Sequence, residues 1–141
     1  MVRKLFGILL LAWASLGLHA GSDWKAQWIN ADRCQSATNT WQVYRKTVTI
    51  SEVPDQLIAR IAADTKYWLW VNGRLAVFEG GLKRGPSPDG TYYDPVDIAP
   101  YLVEGENTIA ILLWHFGKSG FTHVNSGLAA LLFEAVAPGI E

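Results

Sequence analysis

Apolar and polar residues alternate along most of this chain at the two-residue period of strands. Val43 to Ile50 (VYRKTVTI) alternates and is rich in β-branched residues, so it predicts a strand. Val53-Pro54-Asp55 marks a turn. Leu57 to Ala63 has a composition compatible with helix, but its neighbour Tyr67 to Val71 (YWLWV) is so clearly a strand that both are assigned to sheet. Asn72-Gly73, where both residues tolerate positive φ, predicts a tight hairpin into Arg74–Glu79. Gly80 to Gly90 reads as a long loop, and Thr91 to Asp97 as renewed extended structure. After the turn Glu104–Asn107 comes a near-continuous apolar run, Thr108 to Phe116 (TIAILLWHF), which predicts a central strand buried on both faces. A second Gly/Ser-rich loop, Gly117 to Ser126, precedes a last strand over Leu128–Val136. Many short strands with turns between them predict an antiparallel β-sandwich.

Composition narrows the function. The chain has 141 residues, enough for one domain. Its 12 Lys+Arg against 13 Asp+Glu leave no basic excess for phosphate backbones, so nucleic acid is not an expected partner. The 7 Trp, 5 Tyr and 5 Phe suit a β-domain that handles flat, partly apolar ligands such as sugar faces.

The first residues stand apart from this pattern. Arg3 and Lys4, the apolar run Leu5–Leu18 and the small residues around Ala20 have the layout of a secretory signal peptide. The apolar run is shorter than the roughly 20 residues that span a bilayer, so no stable membrane anchor is expected. Residues 1–20 are therefore expected to be removed, leaving a single domain over 21–141 in a secreted or periplasmic protein. Cys34 has no second cysteine to pair with and reads as a small hydrophobe.

The string running from Val71-Asn72-Gly73-Arg74 through Gly80-Gly81-Leu82-Lys83-Arg84-Gly85-Pro86, Tyr92-Tyr93-Asp94 and Asp97-Ile98-Ala99-Pro100-Tyr101-Leu102 to Gly105-Glu106-Asn107-Thr108-Ile109-Ala110 resembles the N-terminal β-sandwich of bacterial α-L-rhamnosidases, glycoside hydrolase family 78. The opening Trp24–Ile29 and the Tyr44-Arg45-Lys46 strand fit it too. The resemblance implies an all-β, jelly-roll or galactose-binding-like sandwich. It implies a non-catalytic accessory domain that accompanies an (α/α)6 barrel, where inverting hydrolysis of terminal rhamnose takes place. It also implies carbohydrate as a partner, rhamnose-containing glycans among the candidates. Related sandwiches bind rhamnose in some cases through calcium, but no calcium ligands can be matched here. No metal, cofactor or catalytic residue is assigned.

Three groups of residues could carry recognition. Trp68 and Trp70 share one strand face, opposite Tyr67, Leu69 and Val71; they could stack on sugar C–H faces or lie beneath another domain. Lys83, Arg84, Tyr92, Tyr93 and Asp94 offer donors, a carboxylate and aromatic platforms for a polyhydroxylated ligand. His115, Lys118 and Phe121 mark the end of the central strand and its loop. The tight Asn72-Gly73 hairpin leaves the Trp68/Trp70 strand little loop to shape a pocket. A ligand is therefore expected at a rim formed by the two long loops, provided that both lie at one end of the sandwich. The alternative is a protein-interaction module whose aromatic face docks protein.

Overall fold

The computed structural model describes residues 24–31, 38–82, 91–121 and 123–136. The expected signal peptide, Cys34, Lys83 and Arg84 lie outside them. The strands are β1 (Thr40–Ile50), β2 (Ile58–Ala63), β3 (Lys66–Val71), β4 (Arg74–Gly81), β5 (Asp94–Asp97), β6 (Gly105–His115) and β7 (Leu131–Val136). A single 3₁₀ turn, Ala99–Tyr101, follows β5. Two antiparallel sheets form, ordered β1-β6-β3-β4 and β5-β2-β7. The expected β-sandwich is what the chain adopts.

Alternation decides what each strand buries. Tyr67, Leu69 and Val71 point inward and are wholly buried, while Trp68 and Trp70 point outward and are half-buried. From β6, Ile109, Ile111 and Leu113 join the same core, and Ala59 and Ile61 meet them from β2. Leu131 of β7 and Ile98 and Leu102, either side of the 3₁₀ turn, complete it. Strand β6 is central, as expected, but it is not buried on both faces. Ala110, Leu112 and Trp114 on its outer side are half-buried, sheltered by side chains of neighbouring strands. The run looks continuous in sequence because its outer face is also apolar.

The hairpin end is fastened by amides. Asn72 and Gly73 have φ of 52° and 75°, the left-handed pair that a two-residue hairpin needs. The Asn72 side chain then accepts from Thr108 N (2.9 Å) and donates to Tyr101 O (2.9 Å) and Asn107 Oδ1 (2.7 Å). Asn107 is fully buried, accepts from Val103 N (2.8 Å) and donates to the carbonyls of Val103 (2.7 Å) and Gly105 (3.0 Å). Two asparagines thus satisfy backbone groups between Tyr101 and Thr108.

Replacing Asn107 by Ala takes the partner from these part-buried groups and empties a fully buried position. The expected loss is about 2–4 kcal/mol of folding stability, read as a lower urea midpoint with an unchanged slope.

Candidate functional site

Register places the two long loops together. Gly81 at the end of β4 lies opposite Lys66 at the start of β3, which lies opposite Trp114 near the end of β6. The chain leaving β4 and the chain leaving β6 therefore emerge at one end of the sandwich. Strand β5 begins at that end and β2 finishes there, because Asp94 pairs with Ile61. The described parts of both loops, with the β2–β3 connection, enclose a pocket of about 190 Å³. Its walls include Asp64, Tyr92, Tyr93, Asp94, Ser126 and Trp28.

Two carboxylates build this end. Asp64 Oδ2 accepts from Ser126 N (2.7 Å) and Ser126 Oγ (2.5 Å), and Oδ1 accepts from Thr65 Oγ1 (2.9 Å). A charged acceptor on a backbone amide makes a strong bond, so Asp64 pins the loop after β6 to the end of β2. Asp94 Oδ2 accepts from the Tyr67 hydroxyl (3.0 Å) and Gly81 N (2.8 Å), tying β5 to β3 and β4. Gly80 is required beside them: a Cβ there would sit 2.4 Å from the buried Tyr67 ring. Tyr93 is held edge-on by Trp24, with ring centroids 5.4 Å apart, and the Arg60 guanidinium lies 4.5 Å from the Trp24 ring. Arg60 is itself paired with Glu134 at 2.5 Å. Tyr92 is more than half exposed.

The sequence-predicted residues separate on this geometry. Tyr92, Tyr93 and Asp94 line the pocket. Lys118 and the fully exposed Phe121 lie on the loop after β6 but do not line it; that loop contributes Val124, Ser126 and Leu128. His115 departs from the expected rim position. It is completely buried, because β6 stays a strand through this residue and alternation turns its ring inward. Its Nδ1 donates to the Asp64 carbonyl at 3.1 Å and lies 3.5 Å from Asp64 Oδ1, so it braces the site from behind. Trp68 and Trp70 stand on the outer face of the other sheet, away from the pocket lining. Asp64 and Ser126 are not among the residues expected from the sequence: Asp64 sits at the break between the two predicted strands Leu57–Ala63 and Tyr67–Val71, and its partner lies 62 residues away. Among the described residues no cluster of His, Cys, Asp and Glu could hold a metal ion.

A larger space, about 1210 Å³, opens between the sheets on the β1 and β7 side. It is lined by apolar residues such as Val48, Ile58, Ile98, Ile109 and Phe133 and by polar ones, Lys25, Gln27, Tyr44, Lys46, Arg60 and Glu134 among them. Of these, Arg60 and Glu134 are paired with each other.

Burial, then the charge and hydrogen bond of Asp94, push the Tyr67 hydroxyl far above its ordinary pKa. The folded chain thus holds this proton more tightly than the unfolded chain. Its stabilising contribution is complete below about pH 10, the unfolded tyrosine value, and declines as pH rises above it. Thermal melts between neutral and strongly alkaline pH should show that decline. In Tyr67→Phe the part of the slope due to this proton should vanish, at a cost of about 1 kcal/mol at neutral pH.

No family model matches the chain, and no curated protein does. Solved structures do. The family 78 rhamnosidase of Bacillus sp. GL1 matches over 83% of this chain and 12% of its own, at 32% identity and a TM-score of 0.70. The α-L-rhamnosidase of Aspergillus terreus matches over 79% of this chain and 14% of its own, at 17% identity and a TM-score of 0.54. That of Streptomyces avermitilis, complexed with L-rhamnose, matches over 79% and 11%, at 16% identity and a TM-score of 0.50. The last two show the fold alone; the first adds sequence likeness. The chain spans less than a sixth of each of these proteins. Fold and sequence together identify the chain as a β-sandwich domain of the type found within glycoside hydrolase family 78 α-L-rhamnosidases.

Proposed function

We propose that this chain is a secreted, non-catalytic accessory sandwich that contributes to carbohydrate recognition in a rhamnosidase-like glycoside hydrolase. The observation that carries the reading is the loop-end pocket. At about 190 Å³ it is smaller than the roughly 300–1,000 Å³ of drug-sized sites, a volume suited to a single sugar ring. Tyr92 and Tyr93 supply aromatic surface with hydroxyl donors at the rim. The Asp64 and Asp94 carboxylates are spent mainly on holding the walls, so the tyrosines carry recognition and the aspartates position it. The family likeness supports L-rhamnose as the ring bound. The signal-peptide layout of residues 1–20 supports secretion. A second reading, protein interaction, is favoured by the aromatic outer face of the four-stranded sheet.

Titration with L-rhamnose and rhamnosylated oligosaccharides, followed by amide chemical shifts, tests the first reading. The shifts should gather at Thr91–Asp94 and around Ser126. Tyr92→Ala should weaken binding roughly tenfold with little change in melting temperature, because the side chain is mostly in water. Spectra that stay unchanged at saturating sugar remove carbohydrate recognition from this pocket.

A further inference from the structure

Across the outer face of the four-stranded sheet the aromatic residues form one array. Trp41 of β1 stacks on Trp114 of β6, centroids 4.7 Å apart and planes 9° apart, and on Trp68 of β3 at 5.7 Å and 26°. Phe78 of β4 meets Trp68 edge-on at 6.3 Å. Register explains the assembly: Trp41 lies opposite Trp114, and Val43 and Trp68 both lie opposite Leu112. Much of the array is in water. Trp41 is 48% exposed, Val43 74%, Leu75 46% and Phe78 71%.

Two features say what would cover it. The indoles are stacked on one another, so part of their ring faces is already covered. Sugar C–H groups need an open ring face, whereas an apolar protein surface packs on edges and methyl groups alike. The array is also bounded. Arg45, and Lys66 with its partner Glu79 at 2.9 Å, stand at its rim, and the hairpin half of the same face carries Thr47, Thr49, Glu106 and Thr108. An aromatic centre with a polar rim is the anatomy of a protein interface.

We propose that the occupant is a second copy of this chain, seated face to face on the same array. With aromatic side chains of about 150–250 Å² each, the exposed parts of Trp41, Val43, Leu75 and Phe78 with the half-buried Trp68 and Trp114 give roughly 600 Å² of apolar surface. Two copies would bury roughly 1,200 Å², the lower bound of a standard specific interface. A two-fold axis lying between the sheets and across the strands brings apolar half onto apolar half. It sends the two polar hairpin ends in opposite directions, where they stay solvated. The dimer is isologous, and its small area makes it a micromolar or weaker one.

Sedimentation velocity over a concentration series tests this on the whole chain. A concentration-dependent dimer is expected, with tryptophan emission shifting to the blue as it forms. Phe78→Asp and Val43→Asp should each weaken it at least roughly tenfold while far-UV circular dichroism and melting temperature hold; either variant suffices if the other fails to fold. Tyr92→Ala should leave the dimer intact, so loss of sugar binding and loss of the dimer are separate results. A chain that stays monomeric at roughly 1 mM, or a dimer undiminished in both Asp variants, overturns the proposal. So does a monomer whose tryptophan emission responds instead to a soluble polysaccharide, which would make the array a glycan platform.

Discussion

Strand β6 is paired along both edges, with β1 over all of its length and with β3 over half of it, and the rest of the molecule is arranged around that double pairing. Its inner residues supply the middle of the core, and its outer residues seat Trp114 and Leu112 between Trp41, Val43 and Trp68. A one-residue slip would exchange these two sets and turn a tryptophan into the core. Both neighbours would have to follow, because each ladder fixes the other's register. The same pairing brings the ends of β4 and β6 to one end of the sandwich, and so makes a pocket between their loops geometrically available.

At that end the sheets stop and backbone groups lose their ladder partners. Asp64 and Asp94 take over: each accepts from a backbone amide of a distant segment and from a side-chain hydroxyl. The amides of Asn72 and the buried Asn107 do the same work at the opposite end. Polar groups in these positions stabilise mainly by leaving nothing unsatisfied. These carboxylates are structural elements of the pocket wall, which Tyr92 and Tyr93 line beside them.

Pocket and aromatic array differ in the way their rings are used. At the pocket Tyr93 is held at its edge by Trp24, and Tyr92 stands in water. On the four-stranded sheet the indoles stack on each other, and the array gains rigidity at the expense of open faces. Phe116 stands edge-on to Trp114 and also to His123, so ring contacts run from the array into the loop after β6. That same loop supplies Ser126 to the pocket wall.

Much of the sandwich was legible in the sequence, for a local reason. Strand alternation and the Asn72-Gly73 turn depend on neighbours within a few residues, and the common face of Trp68 and Trp70, opposite Tyr67, Leu69 and Val71, follows from the two-residue period alone. Tyr92, Tyr93 and Asp94 were legible as a group because they are adjacent in the chain. Strand order, by contrast, rests on pairings between segments dozens of residues apart, so only the tertiary structure could put the two loops at one end. His115 was placed at the rim for its chemistry, although alternation in the Thr108–Phe116 run already set it on the face of Ile109, Ile111 and Leu113; the fold added its partner, Asp64. The Asp64–Ser126 contact, and the assembly of Trp41, Trp114 and Trp68 into one stack, were decided by the fold, because no local pattern encodes which distant side chain will complete a hydrogen bond or cover a ring.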